Sequence, residues 1–179
     1  DLVRSRGLGD VYKRQVLVLK RCPQVTAVRC DRHGKLLRLD TCASLRGVSL
    51  VPCHGYRRPR RDLFQGSIHL VHCPQLTTLP APFRGLTGHL ILRDLDAFSF
   101  SPNPLLIGGN LRIRDCPRIE QLPALRVVGS ITVEGRNTLR ILGPMEVGGD
   151  LDLRACRGLE GLPDSVRVSG RILLPPHLA

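Results

Sequence analysis

Aliphatic and polar residues alternate in a short phrase that recurs along most of the chain. Each phrase consists of a glycine, a variable residue and two aliphatic residues separated by one variable residue. The phrases begin at Gly66, Gly88, Gly109, Gly129, Gly149 and Gly170. Consecutive phrases start 20 to 22 residues apart. A fixed period in this range is typical of solenoids, in which each repeat buries its apolar face only against its neighbours. The pattern therefore predicts a solenoid of stacked coils.

Each coil is predicted to hold two short parallel strands. Leu151-Asp-Leu153 has the period-two alternation of a strand with one buried face. A second alternation precedes most of the glycines, at Leu105/Ile107, Leu125/Val127, Met145/Val147 and Val166/Val168. A glycine between the two strands suits a tight corner, where we expect both a positive φ and a neighbouring coil too close for a side chain. No segment carries a long helical period, so we expect little regular helix.

A cysteine follows the first strand in most repeats, and further leucines follow the cysteine. The fullest repeat continues from Leu153 to Cys156, Leu159, Leu162 and Pro163. The same cysteine position is occupied by Cys22, Cys42, Cys73 and Cys116, and two repeats replace it with Leu95 and Arg136. The two earliest repeats lack the glycine and the last ends after Leu174. The frame predicts about eight coils of 20 to 22 residues.

This frame resembles the leucine-rich repeat, and the Val-x-Gly-x-Leu-x-Leu phrase resembles the coils of receptor L domains. The resemblance covers residues 16 to 174 and implies a recognition scaffold built on a parallel sheet. The glycine pair before the strand and the three-residue step from cysteine to leucine depart from the commonest leucine-rich form. The convex side is therefore either strand or helix.

The first fifteen residues are predicted to be foreign to the protein. Residues 5 to 15 resemble a translated reading frame of the transposase adapter used in sequencing libraries. The native N-terminus is then missing, together with any signal peptide or further domain. We assign residues 1–15 to an adapter-derived segment, loosely attached to the first coil, and residues 16–179 to a single solenoid of a bacterial, metagenomic fragment.

The charge is strongly basic, with a formal net value of +12. Residues 1–15 carry four basic and two acidic residues, so the remainder keeps +10. Such a surface could attract nucleic acid, an anionic surface or an acidic protein. The excess is nearly all arginine, with three lysines in total, which a GC-rich genome would also produce. No run of eighteen apolar residues predicts a membrane span.

An insertion stretches the interval between Cys42 and Cys73 and carries the densest charge. It is predicted to form a basic loop at about residues 53–63. Its candidate partner-binding residues are Tyr56, Arg57, Arg58, Arg60 and Arg61. They either grip phosphates or an acidic groove, or form a solvated loop.

The cysteines at the repeat position are expected to fill a corner of the coil and to make weak polar contacts with the adjacent turn. A disulfide framework is not expected, which favours a reducing, cytoplasmic setting; export stays open because the native N-terminus is missing. Cys30 with His33 and Cys53 with His54 form pairs, but their irregular spacing does not favour zinc. No catalytic motif is found, so we expect neither an enzyme nor a cofactor.

Outward-facing residues of the first strand are the candidate recognition surface. The positions between the aliphatic pairs are Arg38, His69, Ile91, Arg112, Thr132 and Asp152. The flanking positions are Asp40, Arg93, Arg114, Glu134 and Arg154. The candidate binding residues among them are Arg38, His69, Arg93, Arg112, Arg114 and Arg154. Salt bridges between coils are the alternative explanation of these charges.

Three functions follow from these patterns. The first is a monomeric, non-catalytic protein-interaction scaffold, or the recognition module of a larger bacterial protein, which binds an acidic patch on another protein. The second is binding of nucleic acid or an anionic surface, although only 3% of the residues are aromatic and could stack on bases. The third is substrate recognition for an enzyme encoded upstream.

Overall fold

The computed structural model describes residues 2–4, 16–31, 35–51, 63–79 and 83–179. Within these ranges every regular element is a strand, and the strands stack in parallel as a β-solenoid of about seven turns. The predicted fold class is confirmed. The convex side, which the sequence left as strand or helix, is strand.

The largest sheet, here called the front sheet, has eight parallel strands. They are Val16–Lys20, Leu36–Asp40, Ser67–Val71, Leu90–Arg93, Leu111–Cys116, Ile131–Asn137, Leu151–Asp152 and Ile172–Leu173. The rear sheet has six strands and contains the predicted second strand of each later coil. They are Leu63–Phe64, Gly85–Leu86, Leu105–Ile107, Leu125–Val127, Met145–Val147 and Val166–Val168.

Two smaller sheets lie on other sides of the coils. The three-stranded sheet orders Leu2–Arg4 beside Ala27–Asp31 and then Gly47–Val51. The two-stranded sheet pairs Gln121–Leu122 with Ile141–Leu142. Leu2–Arg4 belongs to the segment predicted to be foreign. These three residues nevertheless pair with the strand Ala27–Asp31 of the first coil. The foreign origin itself stays a prediction.

The front-sheet leucines form ladders through the core. Leu37 is in register with Ile68, which pairs with Leu90, and the same column continues to Leu151. Leu37, Leu90 and Leu151 are completely buried. Burial of such a side chain contributes about 1.5–3 kcal/mol, so the stacked columns are the main source of stability. One continuous apolar core therefore runs along the axis of the solenoid.

Crowding explains the recurring glycines. Gly109 accepts a backbone hydrogen bond from Gly129, which accepts one from Gly149, at N···O distances of 3.0 and 2.9 Å. A Cβ on Gly129 would overlap Oδ1 of Asn110 and come within 2.9 Å of the Gly109 oxygen. None of these repeat glycines has a positive φ. The clash with the neighbouring coil is thus the reason for the glycine column.

Positive φ is found instead at the opposite end of the front strand. Thr41, His72, Asp94 and Asp115 have φ between 50° and 56°. Gly135 lies within the front strand Ile131–Asn137 and has φ of 67°. Left-handed backbone is unfavourable for residues with a Cβ, and especially for a β-branched residue such as Thr41. Five of the coils therefore turn this corner through a non-glycine residue in the left-handed region, and a sixth uses Gly135.

The assignment of Arg136 to the cysteine column is wrong. Arg114 pairs with Glu134, but Cys116 pairs with Asn137, so the register shifts by one residue between them. Asn137 donates to the oxygens of Gly135 and Ala155 at 3.1 and 3.2 Å. Arg136 projects outward instead. The extra residue forms a bulge, which moved the alignment by one position.

Candidate functional site: the outer face of the front sheet

The front sheet presents rows of outward side chains that run across the strands. In one row Arg38 pairs with His69, which pairs with Ile91, and the row continues through Arg112 and Thr132. In the next row Val71 pairs with Arg93, Arg93 with Arg114, and Arg114 with Glu134. Every sequence-predicted residue of the face in these strands lies where the alternation placed it. With strands about 4.8 Å apart, the eight-stranded face is about 34 Å long.

Most of the candidate arginines carry an internal carboxylate partner. Arg93 Nε lies 3.1 Å from Asp94, and Arg114 Nε lies 3.4 Å from Asp115. Arg38 lies 3.4 Å from Asp40, and Arg154 lies 2.7 Å from Asp152. All four pairs join residues one or two positions apart in the same coil. Internal ion pairs therefore account for part of these charges, but the salt bridges between coils that were the alternative explanation are not formed by these four arginines.

Arg112 is different from its neighbours. It is exposed, it stands between Ile91 and Thr132 in the outward row, and within the described part of the chain it forms no ion pair. Arg93 and Arg114 pair with each other in the adjacent row and are about half exposed, at 49% and 53%. Exposed ion pairs contribute only about 0–1 kcal/mol, so a binding carboxylate could compete for both arginines. The centre of the face is a cluster of three accessible guanidinium groups.

Acidic side chains border this centre toward the C-terminal coils. A shallow groove of about 350 Å³ is lined by Arg112, Asp150, Asp152 and Arg154, among others. Hydrogen bonds from the Arg154 guanidinium lower the pKa of Asp152. A backbone hydrogen bond from Arg171, followed by one from its guanidinium, lowers the pKa of Asp150. The face is therefore basic at its centre and mixed at its C-terminal end.

His69 adds a titratable group on the N-terminal side of the centre. Burial lowers the pKa of His69, and the nearby Arg38 and His89 lower it further. The imidazole is therefore held more neutral than a free histidine. It provides a half-buried aromatic surface rather than an additional positive charge at neutral pH.

The predicted basic loop is not among the described residues, and its position relative to this site is not described. Tyr56, Arg57, Arg58, Arg60 and Arg61 lie outside the described residues, and so do Cys53 and His54. Their proposed contacts with phosphate or with an acidic partner stay predictions.

The sequence analysis did not predict a column of side-chain hydrogen-bond acceptors that runs from coil to coil. Each is the polar residue directly after a repeat glycine, and its side chain accepts from the backbone N–H of the equivalent residue one coil later. The acceptors are Ser67, His89, Asn110, Ser130 and Asp150, at 2.8–3.0 Å. The pattern that could have predicted this column is the polar residue that follows the repeat glycine in each of these coils. The column joins the coils at the edge of the candidate site.

The repeat-position cysteines are buried thiols that contact backbone oxygens. Cys73 Sγ lies 3.3 Å from the Val71 oxygen and 3.9 Å from the Leu39 oxygen of the preceding coil. Burial raises the pKa of Cys73 and Cys116 to about 11 and that of Cys156 to about 12. Since the thiolate is the reactive form, these cysteines are poor nucleophiles at neutral pH. The predicted corner-filling role and the weak contact between turns are confirmed.

The cysteines of the repeat position, Cys22, Cys42, Cys73, Cys116 and Cys156, are free thiols. Among the described residues no three histidine, cysteine or acidic side chains cluster closely enough to hold a metal ion. No helix in the described ranges has the length and apolarity needed to cross a membrane.

The rear sheet carries a second depression. An open groove of about 860 Å³ runs along its outer face, where Leu63, Leu106, Arg126 and Arg167 contribute to the lining. These residues come from four strands of the rear sheet. The sequence reasoning named none of them.

The architecture defines the class of the molecule, a parallel β-solenoid repeat protein. No protein-family model matches the chain, and no curated protein and no solved structure matches it either. The repeat fold is compatible with the predicted leucine-rich frame, and membership of that family stays a prediction.

Proposed function

We propose that the chain is a leucine-rich-repeat-like, non-catalytic recognition module that binds an acidic segment of another protein. The binding surface is the outer face of the front sheet, and Arg112 is its centre. The observation that carries the proposal is the exposed Arg112 guanidinium, which has no carboxylate partner among the described residues and lies beside the Arg93–Arg114 pair of the next row.

The neighbours of Arg112 favour a peptide over an isolated ion. Ile91 and Thr132 stand on either side of it and provide apolar contact for the stems of bound side chains. Arg93 and Arg114 lie one row away and could each exchange an internal carboxylate for one of the partner. Guanidinium groups bind carboxylates through paired hydrogen bonds, so three of them can hold an extended acidic segment.

Nucleic acid is the competing ligand. Its phosphates would also contact the arginines, but sequence-tolerant binding of single strands depends on aromatic side chains on which the bases stack. The rows around Arg112 offer His69 as the sole aromatic ring among their described members. The face therefore favours an acidic protein segment.

A defined probe tests the proposal. Fluorescence anisotropy would measure binding of a labelled ten-residue peptide of alternating glutamate and serine at two salt concentrations. Arg112→Glu should weaken binding about tenfold or more, because a charge-assisted hydrogen bond is lost and a repulsive charge replaces it. The combined Arg93→Glu, Arg112→Glu and Arg114→Glu variant should abolish binding.

Arg157→Glu is the matched control. Arg157 is exposed in the turn directly after Cys156, and its substitution changes the net charge by the same amount. Equal losses for Arg112→Glu and Arg157→Glu would mean that net charge alone attracts the peptide, and the proposed surface would be wrong. Tighter binding of a single-stranded oligonucleotide of equal charge, with a steep dependence on salt, would favour nucleic acid instead.

A further inference from the structure

The shallow groove on the front sheet extends from Arg112 toward the C-terminal coils and has the size of a small-ligand site. Its volume is about 350 Å³. Ligand sites commonly measure about 300–1,000 Å³ and fix their ligands with a few polar groups. Two rows of outward side chains line the groove, and Arg93 and Arg114 do not belong to its lining. The groove therefore offers a set of contacts different from the centre of the face.

The first row places a cation, a hydroxyl and a carboxylate side by side. Arg112 pairs in register with Thr132, and Thr132 pairs with Asp152. Among the described residues the Arg112 guanidinium has no carboxylate partner and the Thr132 hydroxyl has no hydrogen-bond partner. Arg112 and Asp152 are two strand spacings apart, about 10 Å. A ligand of one ring lying between them meets a guanidinium at one end and carboxylate oxygens at the other.

The second row adds two polar side chains with unused donors. Asn110 and Ser130 use their side-chain oxygens to accept backbone N–H groups of the next coil, at 2.9 and 3.0 Å. Both side chains line the groove. The amide nitrogen of Asn110 and the hydroxyl hydrogen of Ser130 remain available to a ligand, because the acceptor oxygens alone serve the contact between coils. An oxygen-rich ligand satisfies these donors together with those of Arg112 and Thr132.

The charges of the lining favour a ligand with one negative charge. Arg154 lies 2.7 Å from Asp152, and Arg171 lies 3.0 Å from Asp150, so these four residues form two neutral pairs. Arg112 is then the uncompensated charge of the lining in the described part of the chain. Each carboxylate oxygen has two lone pairs, so Asp150 and Asp152 can accept further hydrogen bonds from hydroxyl groups while they hold their arginines.

We propose that this groove binds a single sugar acid, a hexose ring that carries one carboxylate. The carboxylate pairs with the Arg112 guanidinium, and the ring hydroxyls bind the Thr132 hydroxyl and the carboxylate of Asp152. A simple carboxylate would leave the hydroxyl-binding groups unused, and a neutral sugar would leave the cation unused. The groove shares Arg112 with the proposed protein-binding surface but does not rest on that function, because Thr132 and Asp152 take the place of Arg93 and Arg114.

Titration of the full, nitrogen-15-labelled chain by NMR tests the proposal with three probes: glucuronate, glucose and acetate. Glucuronate should bind saturably with a dissociation constant of about 1 mM, because a few exposed hydrogen bonds contribute weakly. The backbone amide signals of Arg112, Ser130 and Thr132 should shift. Glucose and acetate should each bind about tenfold more weakly, because glucose lacks the carboxylate and acetate lacks the hydroxyls.

Two variants separate the groups of the groove. Arg112→Gln should weaken glucuronate binding about tenfold, because it removes the partner of the carboxylate. Thr132→Val should weaken it about three- to tenfold, because it removes the hydroxyl and keeps the shape of the side chain. The same Thr132→Val variant should bind the glutamate–serine peptide as the wild type does, since valine keeps the apolar contact beside Arg112.

Arg157→Gln is the control for the loss of one positive charge, and the three probes on the wild-type chain decide the matter even where a variant fails to fold. The proposal is wrong if glucuronate shows no saturable binding, or if acetate or glucose binds as tightly as glucuronate. It is also wrong if Arg112→Gln behaves as Arg157→Gln does, or if Thr132→Val binds glucuronate as the wild type does. Loss of peptide binding alone, with glucuronate binding retained, would overturn the proposed function and leave the sugar-acid site standing.

Discussion

At the scale of single residues, close contact between coils decides which side chains are allowed. Gly129 lies against the Gly109 backbone, and the Asn110 side chain occupies the space where its Cβ would be. The same Asn110 oxygen accepts the Ser130 N–H at 2.9 Å. The glycine and the polar acceptor therefore depend on each other. The Asn110 side chain can reach the Ser130 N–H of the next coil only because Gly129 has no side chain in that space.

Gly129→Ala is expected to destabilise the fold by about 1–3 kcal/mol, because either the backbone or the Asn110 side chain must move. Gly161→Ala is the matched control, since no atom lies within 4 Å of a Cβ built there. Chemical denaturation of both variants would measure the difference in free energy of unfolding. Equal stability of the two variants would contradict the crowding argument.

At the scale of elements, a column of cysteine thiols fills the corner after most of the front strands. Cys73 and Cys116 are completely buried, and Leu95 occupies the equivalent place in the coil between them. The Cys116 thiol lies 3.3 Å from the Arg114 oxygen, as the Cys73 thiol does from that of Val71. The thiol acts here mainly as a buried apolar group, and its polar contact with the backbone is weak. Leucine can therefore replace it, because leucine keeps the burial and loses only the weak contact.

Alkaline pH should therefore weaken the fold through these thiols. The pKa of Cys73 and Cys116 is about 11 in the folded chain, above the reference value of 9.0. From about pH 9 the unfolded state releases protons that the folded state retains, so the free energy of unfolding should fall between pH 9 and 11. The combined Cys73→Ala and Cys116→Ala variant should show a shallower fall.

Denaturation curves at half-unit steps from pH 8 to 10.5 would measure this slope. Leu95→Ala is the control at the same corner, and it should lower stability equally at every pH because it carries no proton. A wild-type slope identical to that of the cysteine variant would assign the alkaline loss to other groups.

At the scale of the whole molecule, the solenoid is close to one-dimensional. Each coil of the front sheet pairs only with the coils before and after it, and the order of strands follows the order of the repeats. The last coil is poorly covered, with Ile172 41% exposed and Val166 and Val168 only partly buried. Damage near this end should consequently remain local.

Leu153→Ala tests this locality. Leu153 is completely buried, so its truncation is expected to cost about 2–5 kcal/mol. Amide exchange should accelerate in the coils after Met145 and stay unchanged around Leu70. Leu162→Ala is the control, since Leu162 is 36% exposed in the same coil. Uniform acceleration along the entire chain would contradict a one-dimensional solenoid.

Several features of the candidate sites could not be predicted because they depend on contacts between coils. The ion pair of Arg93 with its chain neighbour Asp94 could be expected from the sequence. The surroundings of Arg112 could not, because its row neighbours Ile91 and Thr132 come from the adjacent coils. The groove beside Arg112 likewise joins side chains from four coils. Spacing alone does not contain this information.

The sequence by itself determined the repeat, the two strands of the later coils and the inward columns such as Leu37 to Leu151. These follow from local alternation, because side chains of a strand point to opposite faces and a fixed period brings equivalent residues together. Only the tertiary structure decided that crowding requires Gly129, that Asn137 takes the place of a cysteine, and that Arg112 has no ionic partner in the described chain. Each depends on the separation and register of adjacent coils, which are set by packing across about twenty residues of chain.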